Sequence, residues 1–579
     1  FTAVSGGTID LGGSSPTFTT SADTITFGTA NVKVANGTLT VNSVGGLIDF
    51  EGSILGTSDE VLVLNANGSG TDAASANEKV IVAAIGTGNQ IHSVSITGRD
   101  GITLEGNITT SNKASNNVSF TGPVSINAAT VAIDTDATGN DGTVTFSSTI
   151  DSTTGTSRNL DIVSATGNVT VTGAIGATTA LASLDINQAG GDGDITLTSN
   201  IGADASNPGV TGVTRIGNAA TADLNLNGTV YTTGGATTYA SAGTDLGGSS
   251  PTFTTSADTI TFGTGNVTIA DGTLTVNSVG GLIDFEGSIL GTSDEVLVLN
   301  ANGSGTDAAS ANEKVIVATI GSGDQIHSVS ITGRDGITLE GNITTSNKAS
   351  NNVSFTGPVS INAATVAIDT DATGNDGTVT FSSTIDSTTG TSRNLDIVSA
   401  TGNVTVTGAI GATTALASLD INQAGGDGDI TLTSNIGADA SNPGVTGVTR
   451  IGNTATADLN LDGTVYSTGG ATTFTAVSGG TIDLGGASPT FTTSADTITF
   501  GTADVKVANG TLTVNSVGGL IDFEGSILGT SDEVLVLNAN GSGTDAASAN
   551  EKVIVAAIGT GNQIHSVSIT GRDGITLEG

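Results

Sequence analysis

The chain has no cysteine, no methionine and no tryptophan, and only 7 prolines in 579 residues. Without cysteine there is no disulfide frame and no thiolate chemistry, so stability must come from burial and backbone hydrogen bonding. Basic residues are also short, with 14 Lys and Arg against 54 Asp and Glu and a net charge of −40. That balance excludes a phosphate-neutralising stripe, so nucleic-acid binding is not expected, nor is docking on anionic lipid. The acidity reads as keeping a long, weakly hydrated polymer dissolved and apart from its neighbours. Systematic binding of divalent cations is the competing reading. No stretch is long and apolar enough to span a bilayer, and no signal peptide is visible, so no membrane insertion is expected in this window. The chain opens on Phe1 and stops at Gly579 in mid-pattern, which predicts a window cut from a longer protein.

What is present points to strands. Apolar residues make up 36% of the chain, mostly Val, Ile, Leu and Ala, alongside 85 glycines. Val, Ile and Thr suit a pleated strand, and Gly, Asn and Asp suit turns. The eighteen residues LTVNSVGGLIDFEGSILG occur at 39–56, at 274–291 and at 512–529. Pro16, Pro251 and Pro489 mark equivalent positions, so the second interval between copies is slightly longer than the first. The blocks run 1–238, 239–473 and 474–579, the last truncated, with a shortened junction at 239–243.

Inside each block runs a shorter rhythm. Segments such as TLTVN at 38, LIDFEG at 47, TVTFS at 143 and VTVTG at 169 alternate apolar with polar residues. That is the period of a half-buried strand, and Gly, Asn, Asp or Ser closes nearly every segment. A string of immunoglobulin-like sandwiches would need units of about 100 residues with hairpins and linkers, and none is visible. An all-β parallel β-helix, or β-solenoid, forming an elongated rod without independent globular domains, fits better. Its coils bury one another, so a duplicated block extends it without a new core. With coils of roughly 22 residues, a block would make about ten or eleven coils and advance ~50 Å.

The run GTVTFSSTIDSTTGTSRNLDIVSATGNVTVTGAIGATTALASLDINQ at 142–188 resembles filamentous-haemagglutinin-type giant bacterial surface proteins, the β-strand-repeat adhesins. The resemblance implies a right-handed β-helix, export to the bacterial cell surface, and adhesion or matrix roles. The amino-terminal secretion domain of that family has no counterpart in these residues.

Candidate chemistry is sparse. DTDATGNDG places Asp134, Asp136, Asn140 and Asp141, and in the next block Asp369, Asp371, Asn375 and Asp376, around a glycine turn. Oxygen ligands at such spacing can hold calcium; an Asx-rich turn needs the same letters. GGDGDITLT at 190–198 and 425–433 is similar to the calcium nonapeptide of RTX rolls, but Asp194 falls one place early. His92, His327 and His565, one per block, have no partner at metal spacing. Arg99, Arg158 and Arg215 lie far apart in sequence. No catalytic set and no cofactor is therefore expected, calcium being the one candidate ion. Sequons such as Asn36-Gly37-Thr38 are expected by chance in so Thr- and Asn-rich a chain.

Two strands break the alternation. VLVLN at 61–65 and VIVAA at 80–84 are apolar on both faces. Reading Val61 and Val63 as inward leaves Leu62 and Leu64 outward, with Leu297, Leu299, Leu535 and Leu537 repeating the stripe. A flap folded from 66–79 would cover it, or a second rod would dock on it. Together these features predict a secreted or cell-surface fibre or adhesin. It would mediate adhesion, cell–cell contact or matrix formation, with self-association along or beside the rod and surface glycans or another cell as partners. The alternative is a carbohydrate-binding or carbohydrate-cleaving β-helix.

Overall fold

The computed structural model describes all residues except 22, 58, 68–76, 137–138, 257, 293, 303–311, 372–373, 424, 495, 531 and 541–549. The chain is an all-parallel β-solenoid of about 22 turns with no helix among the described residues. Its described residues divide into two compact units, Phe1–Gly287 and Ser288–Gly579. The division falls inside the second repeat block.

In the first unit three strand stacks run side by side. The first face holds Thr8–Leu11, Asn31–Val34 and Ile54–Leu55, and continues through Ile85 to Thr130–Asp134, Asn159–Val163 and Ser183–Ile186. The second holds Thr17–Thr20, Thr38–Ser43, Val61–Ala66, Ser93–Gly98 and Val118–Thr121. The third holds Ile25–Phe27, Ile48–Phe50, Lys79–Val82 and Gly101–Leu104. Strands this short suit the sequence. Apolar residues at every second position face inward, and a glycine or Asx corner turns the chain before the pattern can drift.

The core is a set of stacked columns. Leu39, Leu62, Val94 and Val118 lie in register and are all within 2% of full burial. The predicted inward pairs Ile48 and Phe50, Val144 and Phe146, and Val169 and Val171 are likewise buried. Aromatic rings stack where the repeat begins: Phe27 on Phe50 at 4.5 Å, Tyr231 on Phe253 at 4.5 Å, and Phe262 on Phe285 at 4.4 Å. Parallel stacking places rings at equivalent positions one strand spacing apart, close to the offset-stacked optimum.

The assignment of the leucine stripe is corrected by these columns. Leu62, Leu64, Leu297, Leu299, Leu535 and Leu537 are fully buried, and Val61 and Val63 are the half-exposed pair. Register decides the phase: Leu62 stacks on Leu39 and Leu64 on Val41, both core residues of the preceding coil. A strand apolar on both faces carries no phase of its own, so its neighbours impose one. The lateral contact through these leucines is thereby withdrawn. The flap expected from 66–79 includes residues 68–76, which lie outside the described residues.

Coils also vary in length. Asp223 pairs with Gly243 across a short coil, whereas Val61 pairs with Ser93 across a much longer one. Nine pairings lead along the second face from Thr17–Thr20 to Gly243–Leu246. The latter strand is the second-block copy of Thr8–Leu11, which lies on the first face. A block therefore takes nine turns and one further face, and its first strands resume one face round the solenoid.

Candidate functional site

Stacking gathers charges that are remote in sequence. On the outward side of the first face, Asp161 pairs with Asp185 and Asp185 with Arg215. Arg215 Nη1 donates to both Asp185 oxygens, at 3.3 and 3.4 Å. Burial, and then the Asp185 and Asp134 carboxylates, push the Asp161 carboxyl above the usual range. The second unit repeats the set as Asp396, Asp420 and Arg450, with both Arg450 contacts at 3.2 Å. The column sets carboxylate acceptors beside guanidinium N–H donors, the two kinds of partner that a sugar hydroxyl can use. The signal lay in LDI at 160 and 184 and TRI at 214, whose unequal spacings hid the column.

The acidic turn is organised differently. The Asp136 N–H donates to Asp134 Oδ1 at 3.0 Å, an Asx turn. Burial raises the Asp134 carboxyl, opposed by that N–H, and the Asp136 charge raises it further. Asn140 donates to Asn112 at 3.0 Å, and Asp141 accepts from the Thr166 hydroxyl at 2.6 Å in the next coil. Asp369, Asp371, Asn375 and Asp376 repeat these contacts. The structure thus joins Asp134 to Asp136 and turns Asp141 toward another coil. Among the described residues no three His, Asp or Glu side chains gather as metal ligands. Asp194 is tied to Asn168, whose Oδ1 accepts its N–H at 3.0 Å.

Two buried glutamates had no visible sequence signal. Glu60, 1% exposed, accepts from the Thr57 N–H at 2.6 Å and the Thr57 hydroxyl at 2.5 Å. Burial alone would raise its carboxyl, but the Thr57 hydroxyl and the backbone N–H groups of Thr57, Glu60 and Asp59 hold it below the usual range. Glu78, fully buried, takes an ion pair from Arg99 at 2.7 Å, and Glu551 takes one from Arg572 at 2.8 Å. So Arg99 belongs to a structural clamp. His92 Nε2 donates across coils to Ala114 O at 2.9 Å, and His327 does the same to Ala349.

A cleft of about 460 Å³ opens beside Lys33, lined by Thr57, Gly86, Asn89 and Gln90. Its third-block counterpart, about 400 Å³, lies beside Lys506, whose Nζ is 3.5 Å from Asp483. The second block has Thr268 in place of the lysine. Compared with known proteins, the chain matches no family model, no curated protein and no solved structure.

Proposed function

We propose that the chain is part of a structural fibre or adhesin of the filamentous-haemagglutinin type, displayed outside a bacterial cell. The observation that supports this reading is the junction between blocks. The second block continues the first without a break in register: Thr214–Gly217 pairs with Thr237–Ala240, and that strand with Ile260–Phe262. The core continues with it, Tyr239 stacking on Phe262 at 5.3 Å. A solenoid that accepts another block on whichever face comes next can be lengthened freely, and length is what a stalk needs. Because each junction advances the repeat by one face, a surface patch recurs on more than one side. That favours contact with surroundings on all sides, in a matrix or between cells.

Deleting residues 239–473 tests the reading. Electron microscopy should show a particle shorter by about 45 Å at constant width, at a strand spacing of about 4.8 Å per turn. Antibody against the chain should label intact cells of the source organism in strands. Unchanged particle length, or labelling only after lysis, would overturn it.

The Asp161–Asp185–Arg215 column favours a second reading, in which the outer face handles carbohydrate. Release of oligosaccharide from neutral or acidic glycans, lost in Asp161→Asn with Asp396→Asn, would support it over the purely structural one.

A further inference from the structure

The near-identical blocks differ at several positions by an exchange of Asn for Asp. Asn36 and Asn509 correspond to Asp271, and Asn227 corresponds to Asp462. In each of these cases the next residue is glycine. We propose that Asn36 and Asn509 are sites of spontaneous deamidation, and that the fold protects Asn227.

In this reaction the Gly37 backbone nitrogen, deprotonated by hydroxide, attacks the Asn36 side-chain carbonyl carbon. The C–N bond of the side-chain amide breaks, ammonia leaves, and a cyclic succinimide forms. Water then opens the ring at either carbonyl, leaving aspartate or isoaspartate. The net change is one water consumed, one ammonia released and one negative charge gained. Glycine favours the attack because no side chain blocks its nitrogen, and asparagine is among the thermolabile residues for this reason.

Geometry separates the sites. Asn36 and Gly37 are exposed on a bend with Gly37 at φ 70°, and the Thr38 N–H is tied to the Ser15 hydroxyl at 3.2 Å instead of closing the bend. Among the described residues no protein acceptor takes the Gly37 N–H. Asn509–Gly510 repeats this arrangement, with φ 72° and the Ser488 hydroxyl 3.1 Å from Thr511 N. Asn227 is also exposed, but the following Gly228 is buried and its N–H donates to the Tyr231 hydroxyl at 2.7 Å. That nitrogen cannot reach the Asn227 side chain until the bond opens.

One of the two products, aspartate, is already present at this corner of the molecule. Asp271–Gly272 keeps the same bend, with φ 75° at the glycine and the Ser250 hydroxyl 3.1 Å from Thr273 N. Aspartate at Asn36 or Asn509 thus leaves the corner intact while adding charge to an acidic surface.

The test is to hold the folded full chain at mildly alkaline pH and map Asp and isoAsp by mass spectrometry after proteolysis. A second sample is held in denaturant. In the fold, Asn227 should convert about tenfold more slowly than Asn36 and Asn509, the factor one ordinary hydrogen bond imposes. In denaturant all should convert alike. Tyr231→Phe, its folding checked by circular dichroism, should bring Asn227 up to the rate of Asn36. Equal conversion in the fold, an inert Asn36, or a Tyr231→Phe chain in which Asn227 stays slow, would overturn the proposal.

Discussion

Replacing Gly142 and its copy Gly377 by alanine tests how the corners set the spacing between coils. Neither glycine has positive φ, so backbone handedness does not require glycine at this corner. Crowding requires the glycine instead. A Cβ on Gly142 would lie 2.6 Å from the Asn116 carbonyl carbon, nearer still to its oxygen, and 2.7 Å from Asn116 Oδ1. The same corner recurs one coil on, where a Cβ on Gly167 would meet the Gly142 backbone, and again at Gly193 over Gly167. Because the clash is with backbone, two coils must part or tilt. Overpacking of this kind costs about 1–3 kcal/mol per site, offset by about 0.4–1 kcal/mol from the stiffer unfolded chain. Two controls separate crowding from backbone conformation. Gly155 sits at φ 90° with no atom within 4 Å of a Cβ, so Gly155→Ala should lose about 1–2 kcal/mol by conformation alone. Gly13 has neither constraint, so Gly13→Ala should stay within about 0.5 kcal/mol. Urea unfolding followed by far-ultraviolet circular dichroism reads all three, and hydrogen exchange at Val118 and Val144 reads the local effect. If Gly142→Ala proves as harmless as Gly13→Ala, close approach at this corner does not set the coil spacing.

Leu62→Asp with Leu64→Asp should unfold the surrounding coils in the same urea assay, since unpaired buried charge costs several kcal/mol; Val63→Asp should shift the midpoint little, and the reverse ranking would restore the original phase. Arg99→Gln strands the buried Glu78 carboxylate and should cost about 2–3 kcal/mol, less than for a fully buried pair because the arginine is partly exposed; an unchanged urea midpoint would show the pair to be idle. The lowered Glu60 carboxyl contributes stability that is present above its unfolded pKa and lost as pH falls through the folded value. Thr57→Ala should therefore flatten the acid limb of a melting-temperature profile. Asp161 has the opposite sign: its raised carboxyl favours folding at low pH, and that contribution is lost as pH rises through the folded value. Asp161→Asn should thus raise the neutral-pH melting temperature and change little in acid.

The strands were legible wherever one face is polar. At TLTVN, IDF, TVTF and VTV the alternation alone places Leu39, Phe50, Val144 and Val171 inward, because only one phase buries the apolar set. At VLVLN both phases bury apolar residues, and only the register with Leu39 and Val41 selects one. The columns of charge were hidden for a related reason. Contacts across coils depend on coil length, which varies with the corners, so no fixed spacing in the sequence reveals that Asp161, Asp185 and Arg215 meet. Glu60 and Glu78 read as ordinary acidic surface. Their burial depends on Thr57 and Arg99, and nothing in composition distinguishes those partners from other threonines and arginines.

The fractional turn count carries a constraint on the sequence itself. If a block closed on a whole number of turns, each strand would stack only on strands of its own kind, and the core could specialise face by face. Advancing by one face forces strands of different origin together. Gly243–Leu246, the copy of the first-face strand Thr8–Leu11, pairs on the second face with Asp223–Leu226 and then with Asn266–Ile269. Every inward column must therefore accept the residues of another, which fits a core built mainly of interchangeable Val, Ile, Leu and Phe. The junctions show where variation is absorbed. The second block opens on a shorter path than the third, yet Asp458–Leu461 pairs with Thr481–Leu484 as Asp223–Leu226 does with Gly243–Leu246. The difference lies wholly in the corner between Tyr239 and Gly243, replaced by the longer path from Phe474 to Thr481. Corners take up length while strands keep register, so insertions at corners should be tolerated and a single-residue insertion within Thr38–Ser43 should not.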